Sequence, residues 1–212
     1  MRELLASRKR ERLAAELDER LGLHPKIRAA FAAVPRELFV PPGFALHAYK
    51  LDALPIAGNQ WISSPLTVAR MTQALDPVGA DSVLEIGCGS GYQAAILAHI
   101  VRRVFGVERI ERLVIEARSR FRELGITNVH VRYADGMLGW REFAPYERIL
   151  FSAAIDSIPP AIVDQLKEGG ILVAPMKRDG SQQIVRYIKR GGQLEAQELG
   201  ECLFIDSKTG VE

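Results

Sequence analysis

The sequence has few of the residues that build disulfide frameworks or metal sites. It contains 2 cysteines, Cys88 and Cys202, which lie far apart and show no CxxC spacing. Its 4 histidines show no HxxxH or similar spacing. A disulfide scaffold and a cysteine or histidine metal centre are therefore disfavoured, and we expect no metal site.

An excess of charge of one sign and long apolar runs are lacking as well. The 28 basic and 26 acidic residues leave a net charge of +2, which gives no general attraction for nucleic acid. No stretch approaches the roughly 18 apolar residues of a membrane span, and residues 1–10 lack the apolar core of a secretory signal. We expect a cytoplasmic protein, a monomer, with neither a nucleic acid nor a membrane as partner.

The composition that is present is typical of a globular protein. Of the 212 residues, 48% are apolar and 25% are charged, values close to the average for folded domains. We expect one domain over 1–212 with three parts: a helical cap and covering segment over 1–63, a central core over 64–175, and a C-terminal hairpin over 176–212.

Strand-like and helix-like segments alternate in the middle of the chain. Short apolar segments begin near Val83, Val104, Val129, Tyr146 and Ile171, and helical segments lie between them. Such alternation predicts βαβ units. The fold class is therefore α/β: a doubly wound, mostly parallel Rossmann-like sheet with helices on both faces, an N-terminal helical cap and a C-terminal β-hairpin.

The segments around this core have weaker patterns. Leucines at helical spacing predict a helix over 1–21, and Pro25 begins a second one. Prolines predict that 35–63 is irregular. We also expect a helix that ends at 164–167 and a last strand over 202–205.

A glycine-rich turn follows the first core strand. Gly87, Gly89 and Gly91 precede a helix, so a ligand can approach the backbone and the free N–H groups of the helix start. Tyr92 in the next position gives GxGxG, not the GxGxxG of dinucleotide-binding loops, and the GK[ST] of a P-loop is missing. Glu85 precedes the turn, and a carboxylate there suits a cationic ligand better than a pyrophosphate.

Two more acidic residues follow neighbouring strands. Glu108 ends the second core strand, where a carboxylate can accept from both hydroxyls of a ribose. The alternative for Glu108 is a surface ion pair with Arg109 or Arg112. Asp135 follows the third strand and is placed to accept from an adenine amino group, although Asp-Gly is also an ordinary turn.

The combined pattern resembles class I S-adenosylmethionine-dependent methyltransferases. The resemblance implies S-adenosyl-L-methionine as cofactor, with S-adenosyl-L-homocysteine as product, lying across the carboxyl ends of the strands. The residues that it assigns to cofactor binding are Glu85, Gly87, Gly89, Ser90, Gly91, Glu108, Arg109, Asp135 and Gly136.

A narrower resemblance covers the chain from about residue 20 to about residue 190. The segments VPRELFVP at 34–41, GNQWISSP at 58–65 and YQAA at 92–95 are similar to the protein-L-isoaspartate (D-aspartate) O-methyltransferase family. This implies methyl transfer to the free carboxylate of L-isoaspartyl residues in damaged proteins or peptides, with D-aspartyl residues as a further acceptor. The methyl ester then starts repair through a succinimide.

The same resemblance assigns the acceptor site. It implies that Ser63 is the catalytic residue and contacts the substrate carboxylate, while Ser64 caps the next helix; the alternative is that Ser63 is the cap. No strong base is expected, because a carboxylate with a pKa near ~4 is already ionised at neutral pH. The residues expected to bind substrate are Gln60, Trp61, Ile62, Ser152 and Ala153.

Two departures from the family pattern leave alternatives open. Trp61 stands where the family usually has a small residue, so it either reshapes the substrate site or belongs to the core. Residues 204–208 differ from the usual Val-Pro-Leu ending, so their part in closing the cofactor site stays open. The alternative functions are a carboxyl methyltransferase for another peptide and a non-catalytic S-adenosylmethionine-binding protein. A nucleic-acid methyltransferase is disfavoured. Enzymes that methylate base amino groups often carry Asn-Pro-Pro-Tyr after the fourth strand, whereas this chain has SAAI at 152–155.

Overall fold

The computed structural model describes residues 2–212, with side chains from residue 5 onward. Residue 1 of the first predicted helix lies outside the described residues. The two N-terminal helices are confirmed as α1 (Arg2–Leu21) and α2 (Pro25–Ala33). Leu13 and Leu17 of α1 are buried, because residues at i and i+4 share one face of a helix. None of the described helices is both long enough and apolar enough to cross a bilayer.

The remaining elements form a small hairpin and a large sheet with its helices. In chain order they are β1 (Leu54–Ile56), β2 (Gln60–Ile62), α3 (Pro65–Leu75), β3 (Ser82–Ile86), α4 (Tyr92–Ala98), β4 (Arg103–Glu108), α5 (Glu111–Glu123), β5 (Val129–Tyr133), β6 (Tyr146–Phe151), α6 (Pro160–Gln165), β7 (Leu166–Arg178), β8 (Ser181–Arg190) and β9 (Gln193–Glu201).

The large sheet has the strand order β5-β4-β3-β6-β7-β8-β9. Its first five strands run parallel, whereas β8 and β9 add an antiparallel hairpin at one edge. The predicted mostly parallel α/β sheet with a C-terminal hairpin is therefore confirmed. The carboxyl ends of β3, β4, β5 and β6 meet at one edge, which is where ligands bind in open α/β sheets.

The two faces of the sheet are covered unequally. Val83 and Val104 pack into a core shared with α1 to α5, while the alternate residues Leu84 and Phe105 pack on the other face with α6. Since α6 has only 6 residues, aromatic side chains complete that layer. The Phe105 and Phe143 rings, for example, stack with their centroids 4.5 Å apart.

Two predictions about the flanking segments need correction. Residues 35–63 contain two short 3-10 helices and the β1–β2 hairpin, so this stretch is less irregular than expected. The helix expected to end at 164–167 ends within that range, at Gln165, because Leu166 already pairs with Tyr146 in the parallel sheet.

The predicted strand over 202–205 is wrong. The Gln182 side chain accepts from Phe204 N at 2.6 Å and donates to Phe204 O at 3.0 Å, which replaces the bonds of a sheet partner. The following residues leave the sheet and run along the carboxyl edge. There Ala154 N donates to Ile205 O at 2.8 Å, and Ser207 N donates to Ala154 O at 2.8 Å.

Candidate active site

The glycine turn connects β3 to α4 and requires left-handed backbone at each glycine. The φ angles are 79° at Gly87, 53° at Gly89 and 88° at Gly91. A Cβ at Gly91 would lie 2.6 Å from Cζ of Phe121 on α5, whereas one at Gly87 or Gly89 would meet nothing closer than 3.8 Å. Gly91 is thus required by packing, while Gly87 and Gly89 leave open space in front of the turn.

Glu85 is fully buried at the carboxyl end of β3. Its Oε1 accepts a hydrogen bond from Ser152 Oγ at 2.7 Å, while its Oε2 has no partner. Burial, and to a smaller extent the nearby Glu108, raises the pKa of Glu85 to about 8, although the Ser152 hydrogen bond opposes this shift. A buried acceptor without a donor is destabilising, so this oxygen suits a ligand that brings an N–H or a positive charge.

Glu108 is 5% exposed and helps to shape the turn. Its Oε2 accepts from Gly89 N at 2.8 Å and its Oε1 accepts from Ile110 N at 3.0 Å. Burial raises the pKa of the Glu108 carboxyl, and these backbone hydrogen bonds oppose the increase. Each oxygen keeps a second lone pair, which leaves the carboxylate able to accept from a hydroxyl.

The arginines beside Glu108 pair with other carboxylates. Arg109 Nη1 lies 2.8 Å from Glu212 Oε2, and Arg112 Nε lies 2.9 Å from Glu116 Oε1. The alternative that Glu108 serves only as a surface ion-pair partner for one of these arginines is therefore wrong.

Asp135 lies beside the same C-terminal residues. Its Oδ1 accepts from Met137 N at 2.9 Å, as in an ordinary Asp-Gly turn, and its Oδ2 accepts from Gly210 N at 2.8 Å. Arg109 Nε also donates to Gly210 O at 3.1 Å. Residues 210–212 are therefore held against Arg109 and Asp135.

Two adjoining pockets form one groove along the carboxyl edge, and they share Trp61, Gly87, Gly89 and Ser152. We name them the Glu108 end and the Glu85 end. The Glu108 end also contains the predicted residues Gln60, Glu108, Arg109, Gly136 and Ala153. The Glu85 end also contains Ile62, Ser63, Glu85 and Ser90. Gly91 and Asp135 line neither of these two pockets.

The β1–β2 hairpin brings Ser63 to the Glu85 end. Ser64 caps α3, because its Oγ accepts from Thr67 N at 3.1 Å; the alternative that Ser63 is the cap is wrong. Trp61 is 52% exposed and lines both ends of the groove. The alternative that Trp61 belongs to the core is therefore also wrong.

Several groove residues lie outside the predicted set, and for residues 204–208 the open question is answered. Phe204 lines the Glu85 end, and residues 205–208 line the Glu108 end, so the divergent C-terminal segment forms part of the wall. Ile110 and Met137 line the Glu108 end as well. Both residues lie two positions after a predicted acidic residue, Ile110 after Glu108 and Met137 after Asp135. This proximity in the sequence is the feature from which they could be predicted as groove residues.

The groove as a whole suits an elongated ligand. One end has a buried carboxylate oxygen without a partner, in Glu85, and the other has the acceptor Glu108. The glycine turn lies between them and lets the ligand contact the backbone. A molecule with a cationic group at one end and sugar hydroxyls at the other matches this arrangement, which is the pattern of S-adenosylmethionine.

The matches found by comparison with solved structures include two that cover nearly the whole fold. A structure named protein-L-isoaspartate O-methyltransferase has a TM-score of 0.86 and 29% identity, covering 95% of this chain and 67% of that chain. A putative protein-L-isoaspartate O-methyltransferase from Plasmodium falciparum, in complex with S-adenosyl-L-homocysteine, has a TM-score of 0.82. At 20% identity, with 94% of this chain and 98% of that chain covered, it supports the fold alone.

Sequence comparison gives closer relatives. A Helicobacter pylori protein named protein-L-isoaspartate O-methyltransferase is 54% identical over 201 residues, which cover 94% of this chain and 96% of the relative. One of the same name from Desulfosudis oleivorans is 45% identical over 199 residues, or 93% and 90% of the two chains. The family model for protein-L-isoaspartate(D-aspartate) O-methyltransferase matches residues 7–211. This chain therefore belongs to the protein-L-isoaspartate(D-aspartate) O-methyltransferase family.

Proposed function

We propose that this protein transfers the methyl group of S-adenosylmethionine to the free carboxylate of L-isoaspartyl residues in damaged proteins or peptides. One observation carries the proposal. The unpartnered buried oxygen of Glu85, which suits a cationic ligand, belongs to the same end of the groove as Ser63. A site for the methyl donor and a site for the acceptor therefore adjoin. Membership of the family supports the same reaction.

The residues around the glycine turn would hold the donor. Glu85 would accept from its ammonium group, and Glu108 would accept from its ribose hydroxyls. Gly87 and Gly89 allow close approach of the backbone. We assign supporting positions at the groove and its rim to Ser90, Gly91, Arg109, Asp135 and Gly136. The bound donor supplies a methyl group activated by a cationic sulfur.

The hairpin side of the groove would hold the acceptor. We propose that Ser63 contacts the isoaspartyl carboxylate, with Gln60, Trp61, Ile62, Ser152 and Ala153 lining its approach. A carboxylate oxygen forms the new bond to the methyl carbon while the carbon–sulfur bond breaks, and the electron pair stays on sulfur. Because the carboxylate is already ionised at neutral pH, the protein has to align these atoms and exclude water.

The product explains how methylation starts repair. The backbone nitrogen that follows the esterified residue attacks the carbonyl carbon of the ester. This attack closes the succinimide ring and releases methanol. Hydrolysis of the succinimide gives a mixture of aspartyl and isoaspartyl peptides. Repeated methylation of the isoaspartyl form then drives the mixture toward normal aspartate.

We further propose that the chain acts as a monomer in the cytoplasm, without nucleic-acid or membrane partners. Cys88 and Cys202 are free thiols, as expected in a reducing compartment. Light scattering of the purified protein tests whether it is a monomer, and the mass of a dimer would contradict the proposal.

The three parts of the chain would have separate roles. Residues 1–63 would cover the substrate, 64–175 would bind the donor and 176–212 would complete the groove wall.

The direct test of the reaction is product analysis. An isoaspartyl peptide is incubated with the protein and S-adenosylmethionine, next to its aspartyl twin and its D-aspartyl form. Chromatography should show the isoaspartyl peptide replaced by succinimide and aspartyl forms, while the aspartyl twin stays unchanged. Turnover of the D-aspartyl peptide would add it as a second acceptor. Failure to convert the isoaspartyl peptide would contradict the proposal.

A second candidate follows from Trp61. Its half-exposed indole at the junction of both ends of the groove favours a carboxyl methyltransferase whose acceptor is another peptide. A panel of peptides with varied flanking residues distinguishes the two. Binding of S-adenosylhomocysteine without methylation of any peptide would instead favour a non-catalytic binding protein.

A further inference from the structure

Arg36 is a buried cation that contacts Ser63 and Tyr92, two residues that line the Glu85 end of the groove. Its side chain has no exposed surface, and its Nη2 donates to Ser63 O at 2.9 Å and approaches Asp52 O at 3.5 Å. The guanidinium carbon lies 4.8 Å from the centre of the Tyr92 ring. Arg36 thus contacts the residue proposed to meet the substrate and a residue that begins α4.

The positive charge of Arg36 has no carboxylate partner. Among residues 5–212 no ion pair includes Arg36, and the side chain that its guanidinium interacts with is that of Tyr92, which is neutral at ordinary pH. The neighbouring Glu37 accepts from Tyr49 instead. Burial lowers the pKa of Arg36, but a guanidinium stays charged at neutral pH. Burying an unpaired charge is costly, and an apolar side chain would fill the same space more favourably.

The contacts of Arg36 join the two halves of the active site. Asp52 and Ser63 flank the β1–β2 hairpin, so one guanidinium contacts the backbone at both ends of that hairpin. Tyr92 follows the glycine turn that would hold the donor. Movement of the hairpin relative to α4 would have to break these contacts.

We infer that Arg36 is a positioning residue that holds Ser63 against the donor loop and whose unpaired charge favours an anionic acceptor at that end of the groove. This inference rests on the proposed function. A carboxylate brought next to Ser63 is attracted by a cation that no protein carboxylate neutralises. A neutral acceptor of the same shape gains nothing from that charge.

The test compares two substitutions that differ in charge. Arg36→Lys keeps the charge, whereas Arg36→Gln keeps an N–H donor without it. Arg36→Gln should raise KM for the isoaspartyl peptide about 10- to 100-fold, the scale of an attraction between two charges several ångströms apart at an effective dielectric constant of about 20, while Arg36→Lys keeps most of the affinity. Inhibition by the same peptide with a neutral carboxamide in place of the free carboxylate should weaken much less, because only the loosened hairpin affects it. The control is Arg122→Gln at an exposed position of α5.

The inference would be overturned if KM rose equally in both variants or in neither. It would also be overturned if Arg36→Gln weakened binding of the carboxamide peptide as much as that of the isoaspartyl peptide. Hydrogen exchange adds a readout that needs no acceptor. The hairpin amides at 54–62 should exchange faster in Arg36→Gln than in the wild type, while those of α5 stay unchanged. Unchanged hairpin exchange would contradict the anchoring role. Failure of the wild type to methylate the isoaspartyl peptide would instead contradict the proposed function, and the exchange measurement would still decide the anchoring.

Discussion

Glu85 is the residue whose chemistry depends most on a ligand. Its buried side chain has a pKa raised to about 8, first by burial, so the free protein carries it mostly protonated at neutral pH. An ammonium group beside its unpartnered oxygen would favour the ionised form and lower the pKa. Binding of such a ligand therefore releases a proton when the pH lies between the pKa of Glu85 in the complex and its higher pKa in the free protein.

This linkage gives a pH-dependent prediction. Affinity for S-adenosylhomocysteine should rise as pH increases toward about 8, because the free protein then loses the proton that binding would otherwise release. Glu85→Gln should weaken binding about 10- to 100-fold, as expected for losing a charged acceptor, and remove most of the pH dependence. Calorimetry at several pH values measures both effects. A wild-type affinity that does not vary with pH would contradict the assignment of Glu85 to the ammonium group.

Ser63 and Ser64 offer a matched pair of substitutions. Ser63→Ala should lower kcat about 10- to 100-fold with little change in S-adenosylhomocysteine affinity, because it removes a hydrogen bond to the acceptor. Ser64→Ala should keep kcat and lower the free energy of unfolding by about 1 kcal/mol, the cost of losing a helix cap. Steady-state kinetics and denaturant unfolding of both variants separate the roles. Equal losses of turnover and affinity in Ser63→Ala would show a structural role.

At the residue scale, the place of a side chain could be predicted where it follows from a strand end. Glu85 and Glu108 end neighbouring parallel strands, so their approach to one edge could be predicted from the order of the elements. Arg36 could not be predicted, since charged residues are rarely fully buried and its partners are carbonyl groups of the hairpin. The contact of Asp135 with Gly210 is also invisible in the sequence, because 75 residues separate them.

At the scale of elements, the start of α4 is fixed by packing as well as by backbone angle. Gly91→Ala should lower the free energy of unfolding by about 2–4 kcal/mol, since it combines left-handed strain with a clash against Phe121. The control is Gly79→Ala, which has the same φ of +88° but nothing within 4 Å of its Cβ, and should cost only about 1 kcal/mol for the strain. Denaturant unfolding measures both. Equal losses of unfolding free energy in the two variants would show that the contact with Phe121 adds nothing to the cost of Gly91→Ala.

The β1–β2 hairpin is the element expected to set peptide preference. Trp61→Thr removes a half-exposed indole at the junction of the groove. We expect kcat/KM for isoaspartyl peptides with bulky flanking residues to rise up to about tenfold, while peptides with small flanking residues change less. Leu46→Thr, at a position 85% exposed, is the control because it lies outside both pockets. An identical change in kcat/KM for both sets of peptides would argue against a role for Trp61 in admitting peptides to the groove.

The regular elements could be predicted and the short ones could not. Periodicity predicts α1, α2 and the core strands because apolar residues repeat over several turns or pleats. The strands β1 and β2 have 3 residues each, too few for an alternation to be recognised. The segment after β9 was mistaken for a strand because its apolar residues, including Phe204 and Ile205, pack along the groove instead of pairing in the sheet.

On the scale of the whole molecule, the site is assembled from distant parts of one chain. The hairpin supplies Ser63, the strand ends supply Glu85 and Glu108, and residues 204–208 close the wall. The order of strands and helices predicted the edge at which these parts meet. The closing segment depends on contacts such as those with Gln182 and Ala154, which the order of elements does not reveal.

The most direct measurement is the rate of labelled methyl transfer from S-adenosylmethionine to an isoaspartyl peptide and to its aspartyl twin at a saturating donor concentration. We predict methylation of the isoaspartyl peptide with a kcat/KM at least about a hundredfold above that of the twin, since the site must distinguish the position of one carboxylate. Equal rates on both peptides, or no transfer to the isoaspartyl peptide by protein that binds S-adenosylhomocysteine, would contradict the proposed reaction.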